Sequence, residues 1–286
     1  CANEKPERVT VGVDPLKAEF DRIAAIDNPQ ALAQALARFQ LMTMDAALVG
    51  LEVGTDPEDR SRYTIYAGDG DLHLGRDNYL KPEFQRVRDG YVTLVTDSLV
   101  LAGRTPEDAR AAAATILAFD TRIAGKKLTA VERSDPHKRF VRTSYADFKR
   151  LLSNLDVDAL FRALGLPIGH EVIVVEGAAL GERNAMLAEY PWRDTHTYLQ
   201  WELLRRTSAH LTPALLGPSL AFARVLYGNV DMPPRTLIVG GEVPKVLGHP
   251  LAQLYVAKHF PAETRRAVED LVGRVRAEFR RRIETN

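Results

Sequence analysis

The strongest constraint on this chain is the spacing of its apolar residues, which recur at three- and four-residue steps along most of its length. Residues 80 to 102 place Phe84, Val87, Tyr91, Leu94, Val95, Ser98 and Leu99 on one stripe, with Pro82 suited to a first helical turn. Thr105-Pro106-Glu107-Asp108 then joins a capping hydroxyl, a first-turn proline and acidic groups at the positive helix end. Ala109, Ala112, Ala113, Ile116, Leu117, Ile123 and Ala124 continue from it as a second long helix. Gly103 and Arg104 leave only a short connection, so the two helices should run antiparallel. A third long helix is expected at the end, with Val268, Leu271, Val272, Val275, Phe279 and Ile283 on one side and arginines and glutamates on the other.

Further helical patterns cover residues 16–25, 29–41, 144–163, 194–210, 213–227 and 243–259, each bounded by Pro, Gly, Asn or Asp. Strand signals are few. Leu48 to Val53 and Tyr63 to Tyr66 flank the turn-rich Gly54-Thr55-Asp56-Pro57 and predict a hairpin, and Glu171 to Val175 is a candidate for one more strand. There is no internal repeat and no low-complexity tract. The expected fold is mainly α, a multi-helix domain with long antiparallel helices and a small β-hairpin annex. It should occupy residues 15–286, behind a polar, unpatterned tether at 1–14.

Charge and cysteine usage narrow the function. Across 286 residues, 38 Lys+Arg balance 38 Asp+Glu, which argues against nucleic acid as a partner, since phosphate backbones are bound by an excess of cations. The single cysteine excludes an internal disulfide and a Cys-based structural zinc site within one chain. No apolar run approaches the roughly 18 residues needed to cross a bilayer. Cys1 in first place fits either a cut through a longer chain or a mature bacterial lipoprotein bearing lipid on that cysteine. On the second reading Cys1 is the lipid-attachment residue, the only membrane contact, and places the chain in the periplasm or on the outer surface.

The chemistry-bearing residues form no complete active site. His170-Glu171 opens like the zinc-protease helix motif, but Val174 stands where the second histidine belongs, and the segment reads as a strand. Asp69, Asp71 and His73 alternate, and on a strand they could share a face and hold a metal; Gly68, Gly70 and Gly75 make a polar turn the better reading. His196, His210, His249 and His259 lie in helical patterns without a second ligand on the same face; Glu263 follows His259 at that spacing, but Pro261 breaks the helix between them. There is neither a Gly-x-Ser-x-Gly elbow nor a P-loop, and Gly240-Gly241 reads as a loop. Arg280-Arg281-Arg282 has a structural reason at a helix C-terminus, where cations meet the negative end of the helix dipole.

Several blocks resemble the neprilysin and endothelin-converting-enzyme family of zinc metallopeptidases, in its helical, non-catalytic domain. Leu74-Gly75-Arg76-Asp77-Asn78-Tyr79-Leu80 is similar to the family's Leu-Pro-Asp-Arg-Asp-Tyr-Tyr-Leu block, and Tyr91 falls on the tyrosine of the next helix. Leu117 to Ala124 and Val131-Glu132-Arg133-Ser134-Asp135-Pro136 follow in the family's order. Tyr198-Leu199-Gln200-Trp201-Glu202-Leu203-Leu204-Arg205 resembles its Tyr-Leu-Arg-Trp-x-Leu-Leu-Arg helix, and Leu247 to Val256 with Phe260-Pro261 its Leu-Tyr-Val and Phe-Pro block. The likeness runs from about Pro15 to Ile283. Thr236-Leu237-Ile238-Val239 departs from it, standing where the family has an Arg-Trp-x-x-Cys segment.

The resemblance implies a lid that closes a chamber over peptide substrates. Its partner would be a catalytic metallopeptidase domain, in cis or in trans, that carries the zinc. None of the family's His-Glu-x-x-His, downstream Glu or Asn-Ala-Tyr residues falls on a position here. No catalytic, cofactor or metal residue is therefore assigned, and this chain alone should be inactive. The alternative is a stand-alone, lipid-anchored pseudoenzyme that binds peptides or a partner protein on its helical face.

Overall fold

The computed structural model describes residues 12–228, 231 and 234–285. It divides into two compact units, one ending at Asp231 and one holding the helices that follow. In the larger unit, α1 (Lys17–Ala24) and α2 (Pro29–Thr43) lead into a hairpin of β1 (Val49–Thr55) and β2 (Tyr63–Asp69). The long helices α3 (Gln85–Leu101) and α4 (Pro106–Lys126) come next, then β3 (Phe140–Thr143), α5 (Tyr145–Leu151), α6 (Val157–Ala163) and β4 (Val172–Val175). After these come α7 (Gly177–Glu189), α8 (Trp192–Thr207) and α9 (Gly217–Tyr227). The second unit carries α10 (Arg235–His259) and α11 (Ala262–Thr285). The chain is thus mainly α with a small β annex, and α3 packs along α4 as their short connection requires.

Helix starts follow local chemistry. The Asn28 side chain accepts from the N–H of Ala31 at 2.8 Å with Pro29 in the first turn, and Thr105 accepts from Asp108 at 3.2 Å ahead of Pro106. Each cap satisfies an N–H that has no partner within its helix, typically worth about 1 kcal/mol. The stripes bury as their spacing demands: Tyr91, Leu94, Val95, Ser98 and Leu99 on α3, and Ala109, Ala112, Ala113, Ile116, Ile123 and Ala124 on α4. Phe84 instead sits in a 3-10 turn before α3 and is only half-buried.

The sheet has the order β1-β2-β4-β3. β1 and β2 pair antiparallel with Leu51 opposite Ala67, and β4 joins β2 in parallel with Ile65 opposite Val172. Val172, Ile173 and Val174 are all buried, as an apolar run in an inner strand must be. The outer edge of β1 is guarded at its centre. The Gln40 carboxamide donates to the Leu51 carbonyl at 2.5 Å and accepts from its N–H at 3.2 Å, standing in for a neighbouring strand.

Four expectations need correction. The pattern over 144–163 is two helices, α5 and α6, because Ser153, Asn154 and Asp156 offer the backbone other partners. Asp156 caps α6 through the N–H of Ala159 at 2.8 Å, and Asn154 binds Asn184 through both its backbone N–H and its side chain. Gly240-Gly241 lies inside α10 rather than in a loop, and that helix begins at Arg235 and kinks at Leu247 between Pro244 and Pro250. Helix α7 and strand β3 were not anticipated. In α7 the buried stripe of Ala179, Leu180, Arg183, Asn184 and Met186 contains a charged and an amide side chain, which break the apolar pattern. Cys1 and most of the 1–14 segment fall outside the described residues.

Candidate functional site

Three of the blocks that carry the family resemblance, together with Tyr91, converge on one buried carboxylate. Asp120, on the inward face of α4, accepts from the Tyr91 hydroxyl at 2.7 Å and from the Tyr79 hydroxyl at 3.1 Å, both at Oδ2. At Oδ1 it accepts from Tyr198 of α8 at 3.2 Å. Trp201 donates its indole N–H to the Tyr91 oxygen at 3.1 Å, and the Leu74 N–H donates to the Tyr79 oxygen at 3.2 Å. Burial, aided by the Glu202 charge, raises the Asp120 pKa to about 6 against the Tyr91 hydrogen bond and the Arg183 charge. Burial also raises the Tyr79, Tyr91 and Tyr198 hydroxyls, so they remain donors.

A second layer is built on Arg183 of α7, which is 1% exposed at its side chain. Its guanidinium donates to the Gly70 carbonyl at 2.5 Å, the Ala47 carbonyl and the Tyr198 oxygen, each at 3.2 Å, and Oδ2 of Asp69 at 3.3 Å. Lys127 donates to the other Asp69 oxygen at 2.9 Å. A side chain on Gly70 would place its Cβ 2.4 Å from the carbonyl oxygens of Ala46 and Ala47, so the chain passes there only as glycine. Below, Glu202 holds Arg205 at 3.0 Å and also Arg206, which reaches Asp45 at 2.7 Å.

This geometry decides the metal candidates. Asp69 is committed to Arg183 and Lys127, and Asp71 is exposed beyond the end of β2. The His73 ring stacks on Tyr91 at 5.3 Å and lies against Phe222 at 5.7 Å. Burial and the charges of Arg205 and Arg206 push its pKa down to about 4. Residues 70–75 therefore form an irregular link that bends at His73 and Leu74, with no shared ligand face. His170 is exposed just before β4, and the His196 ring nitrogen Nε2 is 2.7 Å from the Ile26 carbonyl. Among the described residues, no three His, Cys, Asp or Glu side chains come together to hold a metal. The donor set here does not fit zinc.

Of the residues that organise this core, Tyr79, Tyr91, Asp120, Tyr198, Trp201, Glu202 and Arg205 all lie in the resemblance blocks. Arg183 does not, and the sequence reading missed it together with its helix. Its spacing from Ala179, Leu180 and Met186 on one helical face was the available signal.

The second unit presents a different surface. No described side chain of α10 or α11 is buried. On α11, Val268, Leu271, Val272, Val275, Phe279 and Ile283 stand 43% to 67% exposed along one stripe, and on α10 Leu254 is 70% and Tyr255 61% exposed. α11 also carries the ion pairs Arg274 to Asp270 at 2.6 Å and Arg281 and Arg282 to Glu278 at 2.6 and 3.0 Å. The chain has no described helix long and apolar enough to cross a membrane.

Comparison with known proteins agrees with both units. The profile of the N-terminal part of Peptidase family M13 matches residues 1–286. The chain is 22% identical to endothelin-converting enzyme 1 of Cavia porcellus over 241 residues, covering 82% of this chain and 32% of that protein. To endothelin-converting enzyme-like 1 of Rattus norvegicus it is 24% identical over 278 residues, covering 93% and 36%. It therefore spans about a third of the length of these relatives. Its fold matches the Mycobacterium tuberculosis zinc metalloprotease Zmp1, solved in an open state, with a TM-score of 0.85 at 23% identity over 94% of this chain and 42% of that one. The chain belongs to Peptidase family M13 and makes up its N-terminal domain.

Proposed function

We propose that this chain is the helical, substrate-enclosing domain of a neprilysin-like zinc metalloendopeptidase, acting in peptide proteolysis outside the cytoplasm, with residues 15–286 as the lid. The observation that carries the reading is the uncovered stripe of α10 and α11. A stand-alone binding protein would leave such a surface exposed to aggregation, whereas a domain that docks on another would bury it. The alternative of a lipid-anchored pseudoenzyme is the weaker reading for that reason. Cys1 remains the proposed lipid-attachment residue under either.

Zinc, bound by the catalytic domain, would polarise the peptide carbonyl and activate water. The role of the residues described here is to form a rigid wall. The Asp120 and Arg183 networks hold α4, α7 and α8 in fixed relation, and a rigid lid excludes folded proteins while admitting peptides. The test is to assay this chain alone and with a family catalytic domain. Alone it should bind no stoichiometric zinc and cleave no peptide; mixed, it should associate through α10 and α11 and change peptide selectivity. Chelator-sensitive hydrolysis by the chain alone, or no association at micromolar concentration, would overturn the reading.

A further inference from the structure

A polar cleft of about 360 Å³ lies between the N-terminal halves of α4 and α8, away from the core network. Ala24, Ala111 and Ala112 line it, and their small side chains leave the space open. Arg104 reaches into it from the turn before α4. That turn is held by Gly103 at φ +97° and by the Arg104 N–H donating to the Leu99 carbonyl at 3.0 Å. The guanidinium donates to Gln200 Oε1 at 2.5 Å and to Thr197 Oγ1 at 3.3 Å. Both partners are neutral, and among the described residues no carboxylate makes an ion pair with it. Burial and the like charge of Arg193 hold its pKa below the ordinary guanidinium value, with Asp108 acting the other way.

Arg193 itself is 88% exposed, and its contact with Asp194, at 3.7 Å, is too long for a hydrogen bond. The cleft thus holds two guanidinium groups whose donors are not used up, and two carboxylates, Asp108 and Asp194, on the same walls. A half-buried cation whose direct hydrogen-bond partners are both neutral keeps donors for an anionic ligand group, and guanidinium matches a carboxylate in shape. The neighbouring carboxylates disfavour a polyanion such as phosphate and favour a ligand with its own cation.

We propose that this cleft binds a small zwitterion, a free amino acid or dipeptide, with Arg104 and Arg193 on its carboxylate and Asp108 on its ammonium group. The site is independent of the peptidase reading, because binding is measured on this chain alone with no hydrolysis involved. Isothermal titration with diglycine should show saturable one-to-one binding, with N-acetylglycine weaker and with glycinamide and inorganic phosphate giving no signal. Arg193→Gln, at an exposed position that leaves the fold intact, should weaken diglycine on the order of tenfold, the worth of one charge-assisted hydrogen bond. Arg104→Gln should abolish binding with the circular dichroism spectrum unchanged. Asp108→Asn should weaken diglycine and leave N-acetylglycine unaffected. The proposal is overturned if diglycine does not saturate at concentrations on the order of 10 mM, if both arginine variants bind as the parent does, or if phosphate binds as tightly.

Discussion

The unit ending at Asp231 and the two helices after it are made from the same raw material, amphipathic helices rich in arginine and glutamate, and they use it in opposite ways. In the larger unit charges also turn inward: Arg183 and Asp69 lie within the core, and most of the apolar stripes of α3 and α4 are buried. In α11 charges pair with one another on the helix surface and the apolar stripe stays exposed. Inward charges are costly unless each is paired and hydrogen-bonded, so they specify one arrangement of their helices. A bare stripe specifies nothing until something covers it. The first region is thus fixed by its own buried contacts, while the second leaves its apolar stripe exposed.

The largest effect should come from breaking the scaffold. Arg183→Met leaves Asp69 with Lys127 alone and strips the Gly70 and Ala47 carbonyls of their donor, so it should cost about 3–5 kcal/mol in urea unfolding of the core. A loss below about 1 kcal/mol would mean that the network is peripheral to stability.

Next in size are two opposed pH effects. Asp120 titrates at about 6 in the fold against 3.8 when unfolded, so its ionisation removes stability as pH rises from about 4 to about 6, by about 3 kcal/mol. His73 titrates at about 4 against 6.5, so its contribution is present above pH 6.5 and is lost as pH falls toward 4, also by about 3 kcal/mol. The two largely cancel in the parent chain. Relative to it, Asp120→Asn should lose stability as pH falls from 6 to 4, and His73→Phe should gain it. Parallel pH curves for all three proteins would contradict both assignments.

Tyr91→Phe should cost about 1–3 kcal/mol, because it removes the shortest hydrogen bond to Asp120 and the acceptor for the Trp201 indole. Smallest for stability, and most telling for the comparison, is Leu271→Ser with Phe279→Ser. Exposed at 60% and 67%, these should shift unfolding of this chain by no more than about 0.5 kcal/mol each, while association with a catalytic domain drops sharply. A clear loss of stability in the isolated chain would mean that α11 is already covered.

Elements whose signal is local were legible in the sequence. The Thr105 cap, the stripes of α3 and α4, the β1–β2 hairpin and the amphipathic α11 each follow from residues a few positions apart. Elements whose reason lies elsewhere in the chain were not. Helix α7 was hidden because its inward stripe includes Arg183, whose partner Asp69 is 114 positions away. The break between α5 and α6 depends on Asn184, 30 positions from Asn154. Tyr79, Tyr91, Asp120, Tyr198 and Trp201 were visible as family blocks, but their meeting at one carboxylate was not.

By itself the sequence determined the class of fold, the capped, proline-marked starts of α2 and α4, and the kinship with the M13 N-terminal domain, since periodicity, capping and motif order are all carried along the chain. Only the tertiary structure decided that β4 pairs in parallel with β2, that Tyr79, Tyr91, Asp120 and Tyr198 meet in one buried network, and that Arg104 lines a cleft with two neutral hydrogen-bond partners. Those outcomes depend on which distant groups share a low-dielectric interior. There, a charge persists only where its partners are brought to it, and no local pattern encodes that meeting.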